Sequence, residues 1–408
     1  MFTKTICVAG KNDIAVDVLL YCKRTFPGHR LVCITNRNES GINTWQKSLK
    51  WFAEKNDVEI IELKDVYDID DLLFLSTEFD RIIRPAKFKT TELYNIHFSL
   101  LPKYKGCFTA IMPLLNGEDF TGVTLHRIRD GIDTGEIIDQ KRIDISDDDT
   151  SLDVYKKCLH YGTELVIKNL NNLLSGNIKT SCQNSKHSTY YSNSTIDYSN
   201  LRLNVNSTAY QIQNQVRAFC FRPYQLLKWN GVSYVECVIT ENVSSEKPGT
   251  ILEDTDIYSK ISTIDYDVIM YKDTFDELLK CISEYSNERA KYLCTSRKLI
   301  TEQDKHGWSP LTVAVYNNNF EMVQWLVDNG ADINVVNNNG TNLLMYAKNC
   351  FVNTGNPAIF EYLVNKGLPF DQKDYYGKDL YDYCKMEEIK MIGKYDLTKE
   401  LSGGGTMN

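Results

Sequence analysis

The sequence predicts an α/β protein with a mainly parallel sheet, followed by a small β-rich unit and a C-terminal repeat array. Three observations predict this. Short apolar runs alternate with amphipathic segments through the first 100 residues, the pattern of βαβ units. A single stretch with helical spacing, Thr150 to Gly176, closes that region. Near the end, Gly307, Leu311 and Ala314 recur 33 residues later as Gly340, Leu344 and Ala347. With 408 residues, 42% hydrophobic and 25% charged, the chain has material for two or three domains.

TICVAG (Thr5 to Gly10) is a short buried-type strand ending in glycine, and Ile14, Val18 and Tyr21 space a helix over Asp13 to Cys22. RLVCIT (Arg30 to Thr35) is a second strand, and Leu49 and Phe52 mark a helix over Trp45 to Ala53. VEIIEL, a short helix near Leu72 to Leu75, then FDRIIRP and ELYNIHFS continue the alternation, which makes a Rossmann-like sheet covered on both faces. Leu152, Tyr155, Leu159, Val166, Leu170 and Leu173 line one face of the long helix; Thr150 or Ser151 caps it and Gly176 ends it. Residues 1–178 form this first domain. The polar stretch 179–200 reads as a surface connection. The small unit, 201–300, holds a helix over Tyr210 to Ala218, a strand in SYVECVITE, a KPG turn, two strands in YSKISTIDYDVIMY and a closing helix. The repeats take 301–396, and 397–408 reads as a flexible tail.

Composition excludes several functions. Forty-six Lys and Arg against 54 Asp and Glu leave a net charge of −8 with no basic block, so nucleic acid is not an expected partner. No run approaches the ~18 apolar residues that span a bilayer, and MFTKTICVAGKND lacks the apolar stretch of a signal peptide. The 12 cysteines are scattered, with no C-x-x-C, so neither a metal site nor a disulfide framework is expected; they read as reduced thiols of a cytoplasmic protein. The first turn, AGKND, is not G-x-G-x-x-G, so dinucleotide binding loses its signature.

The densest polar chemistry lies in NIHFSLLPKYKG (Asn95 to Gly106) and RDGIDTGEII (Arg129 to Ile138). Asn95 and His97 alternate along a strand, so both side chains emerge on one face. Pro102 and Gly106 break that strand and leave the pair at its carboxyl end, where the ligand crevice of an open α/β sheet lies. The D-G-I-D-T-G loop can bring Asp133 onto His97 from 36 residues downstream. Attack of an amine on an acyl carbon makes an oxyanion and a protonated nitrogen. An amide donor such as Asn95 can hold the first, worth about 3 kcal/mol in comparable sites. His97, with an ordinary pKa near ~6.5, can take the proton from the second.

N-x-H-x-S-L-L-P-x-x-x-G followed by D-G-x-D-x-G resembles the folate-dependent formyltransferases, which move a formyl group from 10-formyltetrahydrofolate to an amine. The resemblance implies Asn95, His97 and Asp133 as the catalytic trio. It implies folate beside Ser99, Leu100, Leu101 and Pro102, across Ile82, Ile83, Arg84, Pro85 and Asp130, with no metal. Asp133 either fixes and stabilises the imidazole or relays a proton to the folate nitrogen; the sequence leaves both open. His126 and His160 have no place in the motif and are assigned to structure.

Members of this family differ in acceptor: initiator methionyl-tRNA, a glycinamide ribotide, or an amino sugar on a nucleotide. Residues 201–300 carry 12 Lys and Arg against 13 Asp and Glu, which disfavours tRNA. VRAFCFRPY (Val216 to Tyr224) resembles a segment that the amino-sugar branch carries just after the linker. Arg217, Phe221, Arg222 and Tyr224, with Lys105, are then expected on the nucleotide sugar, rings stacking on the base and arginine on the pyrophosphate. The resemblance further implies dTDP-3-amino-3,6-dideoxyglucose as acceptor, a place in O-antigen lipopolysaccharide synthesis, and a homodimer. The alternatives are another amine acceptor such as methionyl-tRNA, or a protein-binding module on an inactive scaffold, against which the intact trio speaks.

The 33-residue period, with D-x-x-G-x-S-P-L in its first copy, resembles ankyrin repeats. The third copy, DYYGKDLYDYC, follows after 37 residues and is expected to lack an ordinary second helix. Residues 301–396 hold 8 Lys against 13 Asp and Glu. Trp308, Tyr346, Tyr375 and Tyr376 fall at repeat-related or tip positions; they pack, meet a protein partner, or line a second nucleotide-sugar pocket.

Overall fold

The structure is a computed structural model that describes residues 4–396 apart from 223, 295 and the side chain of 297. The expected tail, 397–408, lies outside the described residues. The chain divides into two compact units at Lys272 and Asp273.

In the first unit, strands β1 (Thr5–Gly10), β2 (Arg30–Thr35), β3 (Glu59–Ile60), β4 (Leu72–Thr77) and β5 (Leu93–His97) pair in parallel. The short β6 (Lys105–Gly106) stands apart, and β7 (Phe120–Arg127) and β8 (Ile137–Asp144) add antiparallel to the edge. The sheet order is β3-β2-β1-β4-β5-β7-β8. Helices α1 (Asn12–Thr25), α2 (Leu49–Lys55), α3 (Met112–Leu115) and α4 (Ser151–Ser175) connect and cover it, α1 packing on α4.

Every residue of β1 and β4 is buried, so neither can show an alternating pattern. This corrects the expected helix at Leu72 to Leu75: four apolar residues suit a strand or a helix equally, and pairing with both β1 and β5 decides for the strand. FDRIIRP is likewise no strand; it is a loop entering a 3-10 turn at Pro85–Lys87. Helix α2 begins at Leu49 because Ser48 caps it, its hydroxyl accepting from the Trp51 N–H at 3.0 Å, and Trp45 is left in the loop before it. Helix α4 forms as expected, with a Thr150–Asp153 capping box and a left-handed Gly176 (φ 72°).

The polar connection carries β9 (Tyr190–Tyr191), which pairs in parallel with β6. Helix α5 (Ala209–Ala218) then packs on a second, antiparallel sheet of β10 (Leu227–Trp229), β11 (Val232–Val243), β12 (Ile251–Asp254), β13 (Tyr258–Ile261) and β14 (Tyr266–Lys272).

The second unit starts with α6 (Phe275–Ser283), α7 (Asn287–Leu293) and α8 (Arg297–Thr301). Helix α6 packs on α9 (Pro310–Tyr316), so the helix expected to close the small domain is grouped with the repeats. Helices α9 and α10 (Phe320–Asp328), then α11 (Leu343–Thr354) and α12 (Ala358–Asn365), are the two regular helix pairs. Gly307, Gly340 and Gly377 share one left-handed conformation, φ 80°, 79° and 80°, which marks three equivalent turns. The third copy does have a second helix, α13 (Met386–Gly393); its first helix is the one reduced, to a 3-10 turn at Tyr381–Tyr383. Among the described residues no helix is long and apolar enough to cross a membrane.

Candidate active site

Asn95 and His97 stand at the carboxyl end of β5, and the antiparallel neighbour β7 sets His126 opposite Asn95. The Asn95 amide donates to His126 Nε2 at 3.1 Å, while His126 Nδ1 donates to the Arg127 carbonyl at 2.8 Å. His97 Nε2 donates to the Tyr104 carbonyl at 2.8 Å. A carbonyl only accepts, so the proton of the neutral ring sits on Nε2 and the basic nitrogen is Nδ1. That nitrogen faces Asp133 Oδ2 at 3.5 Å, and Asp133 Oδ1 lies 3.6 Å from His126 Nε2.

Burial pushes the His97 pKa down; the Asp133 carboxylate and the Tyr104 carbonyl oppose this without reversing it. Burial works the other way on Asp133, but the His97 and His126 rings and the Gly106 N–H, donating at 2.9 Å, outweigh it and hold the carboxyl well below the usual range. The Gly106 share of that stabilisation does not depend on the charge of either imidazole. At neutral pH the site is thus a neutral imidazole with a carboxylate behind its basic nitrogen.

Asp133 itself is left-handed (φ 52°), a conformation that Asp tolerates better than most residues. Two residues on, a Cβ on Gly135 would fall 1.7 Å from the Arg127 carbonyl oxygen, so only glycine lets the loop lie this close to β7. Gln183, from the connection, donates to the Asp133 and Gly135 carbonyls at 2.8 and 2.7 Å. The Tyr104 N–H donates to Thr189 Oγ1 at 2.7 Å. The stretch expected to be a surface connection therefore braces the loops that carry Asp133 and Tyr104.

A cavity of about 660 Å³ opens over these groups. Its apolar wall includes Ile82, Ile83, Ile96, Ile128 and Ile132, and its polar wall Lys11, Glu78, Asn95, His97, His126 and Asp133. A larger hollow of about 830 Å³ along α4, beside His160, Glu164 and Lys168, contains none of this chemistry.

The other expected site residues divide. Arg84 and Pro85 begin the 3-10 turn and do not line the cavity, and Asp130 is exposed, its carbonyl accepting from Thr134 Oγ1 at 3.0 Å. Ser99, Leu100, Leu101 and Pro102 do not line it either. Ser99 is fully buried and donates to the Lys103 carbonyl, Leu100 packs against Gly122, and the Leu101 N–H donates to Thr124 Oγ1. Those four residues shape the loop that presents Tyr104 to His97. Lys105 lies on β6, where its charge opposes protonation of His97.

Phe221 and Tyr224 join Trp45 and Tyr155 in one aromatic cluster, with ring centroids 5.2–5.9 Å apart, and Arg222 lies partly buried between the first two in sequence. Arg217 is buried, donating to the Ser146 and Asp147 carbonyls and to Asn214, and so ties α5 to the loop before α4. In the repeats, Trp308 and Tyr346 meet edge to face at 5.4 Å, joined by Tyr316, whereas Tyr375 packs at Gly340 and Tyr376 is exposed.

His126, Gln183 and Trp45 are the members that sequence reasoning missed. His126 becomes visible only once β7 is known to run antiparallel beside β5. No spacing marks the other two.

Residues 41–170 match the family model for formyl transferase, and residues 278–374 that for ankyrin repeats in three copies. The methionyl-tRNA formyltransferase of Kosmotoga olearia is 36% identical over 120 residues, 29% of this chain and 39% of that one. That of Lactobacillus acidophilus is 26% identical over 243 residues, 55% of this chain and 76% of that one. The chain thus spans less than half the length of the first of these relatives. Two solved structures are similar over a longer stretch. WlaRD, a sugar 3N-formyl transferase solved with dTDP and 5-N-formyl-THF, is 40% identical with a TM-score of 0.62 over 66% of this chain and 97% of that one. An N-formyltransferase from Helicobacter canadensis, in complex with folinic acid and dTDP-3-aminofucose, is also 40% identical, with a TM-score of 0.61 over 66% of this chain and all of that one.

Proposed function

The chain belongs to the N-formyltransferase family, and on that premise we propose that it transfers a formyl group from 10-formyltetrahydrofolate to the amino group of a dTDP-linked amino-dideoxy sugar. The Asn95–His97–His126–Asp133 cluster on one cavity wall carries this reading. An amide has two N–H donors; His126 engages one of Asn95's, and the other serves the oxyanion that forms at the formyl carbon. His97 Nδ1 takes the proton that the attacking amine must lose, and the resulting imidazolium is held between the Tyr104 carbonyl and Asp133. Asp133 Oδ2, 3.5 Å from Nδ1, is placed to stabilise that charge. Ile82, Ile83 and Ile132 give the cavity an apolar lining suited to the flat face of a pterin.

The Trp45–Phe221–Tyr224 cluster, whose rings meet edge to face at Trp45, supports a nucleotide-sugar acceptor, since aromatic faces can stack on a pyrimidine base. The dTDP and dTDP-3-aminofucose of the two similar structures point the same way. We favour dTDP-3-amino-3,6-dideoxyglucose, a homodimer working in the cytoplasm, and a product destined for O-antigen lipopolysaccharide. Formyl transfer to that nucleotide sugar tests the reading.

A second nucleotide-sugar site on the repeats is supported by the Trp308–Tyr316–Tyr346 cluster. Calorimetry with the nucleotide sugar should count two sites per chain, and Trp308→Ala should remove one and change the shape of the saturation curve. One site in the wild type, with unchanged kinetics in Trp308→Ala, would leave the cluster as packing.

A further inference from the structure

Glu78 takes part in none of the steps above, yet it lines the same cavity as His97. Its position follows from the topology. The chain runs outward from β1 to β2 and β3, then returns to place β4 on the other side of β1, so the sheet order reverses between β1 and β4. Ligands of open α/β sheets bind outside the strand ends at such a point. Glu78 is the residue immediately after β4, and Asn12 opens α1 two residues after β1. Both are left-handed, φ 58° and 64°, although neither is glycine. Such backbone is costly and persists where its surroundings enforce it. Here the Asn36 amide donates to the Glu78 carbonyl at 2.9 Å.

The two turns aim their side chains at each other. The Asn12 amide donates to Glu78 Oε2 at 3.1 Å, and the Tyr155 hydroxyl lies 2.8 Å from both carboxylate oxygens. These partners are neutral. Among the described residues no cation forms an ion pair with Glu78, and burial raises its pKa against those hydrogen bonds and the more distant charge of Lys11. A carboxylate offers about four acceptor positions, more than Tyr155 and Asn12 fill. Ser76 pairs with Asn95 and Thr77 with Ile96; Glu78 and His97 are the next residues along the two chains, and both line the cavity. On its other side, Tyr155 passes directly into the Trp45–Phe221–Tyr224 cluster, 5.9 Å from Trp45 and 5.6 Å from Phe221.

We infer that Glu78 is the specificity-determining residue for an amine on the acceptor: its carboxylate receives the incoming ammonium between the base-stacking aromatics and His97, and so distinguishes an amino sugar from its hydroxyl counterpart. This rests on the acceptor proposed above. An ammonium favours the ionised form of Glu78 that burial alone disfavours; a hydroxyl supplies one ordinary hydrogen bond. From this site the ammonium yields one proton to solvent, and the free amine meets the formyl carbon beside Asn95; the second proton, lost on attack, passes through His97 to the departing folate nitrogen.

The test uses the full chain, the amino-sugar nucleotide as substrate and dTDP-glucose, which carries hydroxyls only, as a competitive probe. Glu78→Gln keeps the shape and removes the charge. It should raise the KM for the amino sugar by about tenfold or more, leave the inhibition constant of dTDP-glucose and the KM for folate within about twofold, and lower kcat much less than KM is raised. Glu78→Asp, which restores the charge on a shorter arm, should recover part of the loss. A parallel rise in the amino-sugar KM and the dTDP-glucose inhibition constant would overturn the inference, making Glu78 a brace for Asn12 and Tyr155. So would an unchanged KM. Wild-type enzyme in the same assay separates the premise: no formyl transfer to any dTDP amino sugar overturns the acceptor reading, and the ammonium role with it.

Discussion

A folded His97→Asn protein should lose at least ~10²-fold in kcat, the loss typical of removing a general base. The expectation follows from the hydrogen bond that fixes the ring. With Nε2 committed to the Tyr104 carbonyl, Nδ1 is left as the basic nitrogen of a ring that lines the cavity. Stopped-flow release of tetrahydrofolate, with thermal melting to confirm folding, measures it. The same residue sets the acid limb of the rate profile. His97 works as the neutral form and burial lowers its pKa, so kcat/KM in the wild type should fall only below the ordinary value of about 6.5. Near-wild-type turnover in His97→Asn would remove this histidine from the mechanism.

Asp133→Asn should cost about 10²-fold or more in kcat, since the imidazolium formed at His97 then lacks its carboxylate 3.5 Å away. It should also shift the acid limb to still lower pH, because the Asp133 charge is what raises the His97 pKa against burial. Lost turnover with an unmoved limb would assign Asp133 to proton relay instead. The linkage signs agree for the pair. Both groups bind a proton less readily folded than unfolded, so each contributes stability at high pH. That contribution is lost as pH falls, from below about 6.5 for His97 and below about 3.9 for Asp133.

Much of the first domain was legible because its signals are local. TICVAG and RLVCIT are apolar runs bounded by turns, and Thr150, Asp153 and Gly176 announce both ends of α4. The convergence of Asn95 and His97 was legible because period two puts them on one face, and the structure brings Asp133 to them. What was not legible depends on strand neighbours. Leu72 to Leu75 is too short to show a period, and only its two parallel partners make it the centre of the sheet. His126 joins the site through an antiparallel register across β5 and β7, and Gln183 through a carbonyl pair that exists only after the Asp133 loop has formed. Arg217 sits in a suggestive motif, and its guanidinium bonds the Ser146 and Asp147 carbonyls and Asn214, partners that no spacing announces.

This cavity is expected to formylate an amine on a nucleotide sugar. The most direct test is to incubate the full chain with 10-formyltetrahydrofolate and either dTDP-3-amino-3,6-dideoxyglucose or initiator methionyl-tRNA, and to follow both acceptors by mass spectrometry. The account predicts a formylated nucleotide sugar, matched mole for mole by released tetrahydrofolate, and unmodified tRNA. Formylated methionyl-tRNA beside an untouched sugar nucleotide would contradict it.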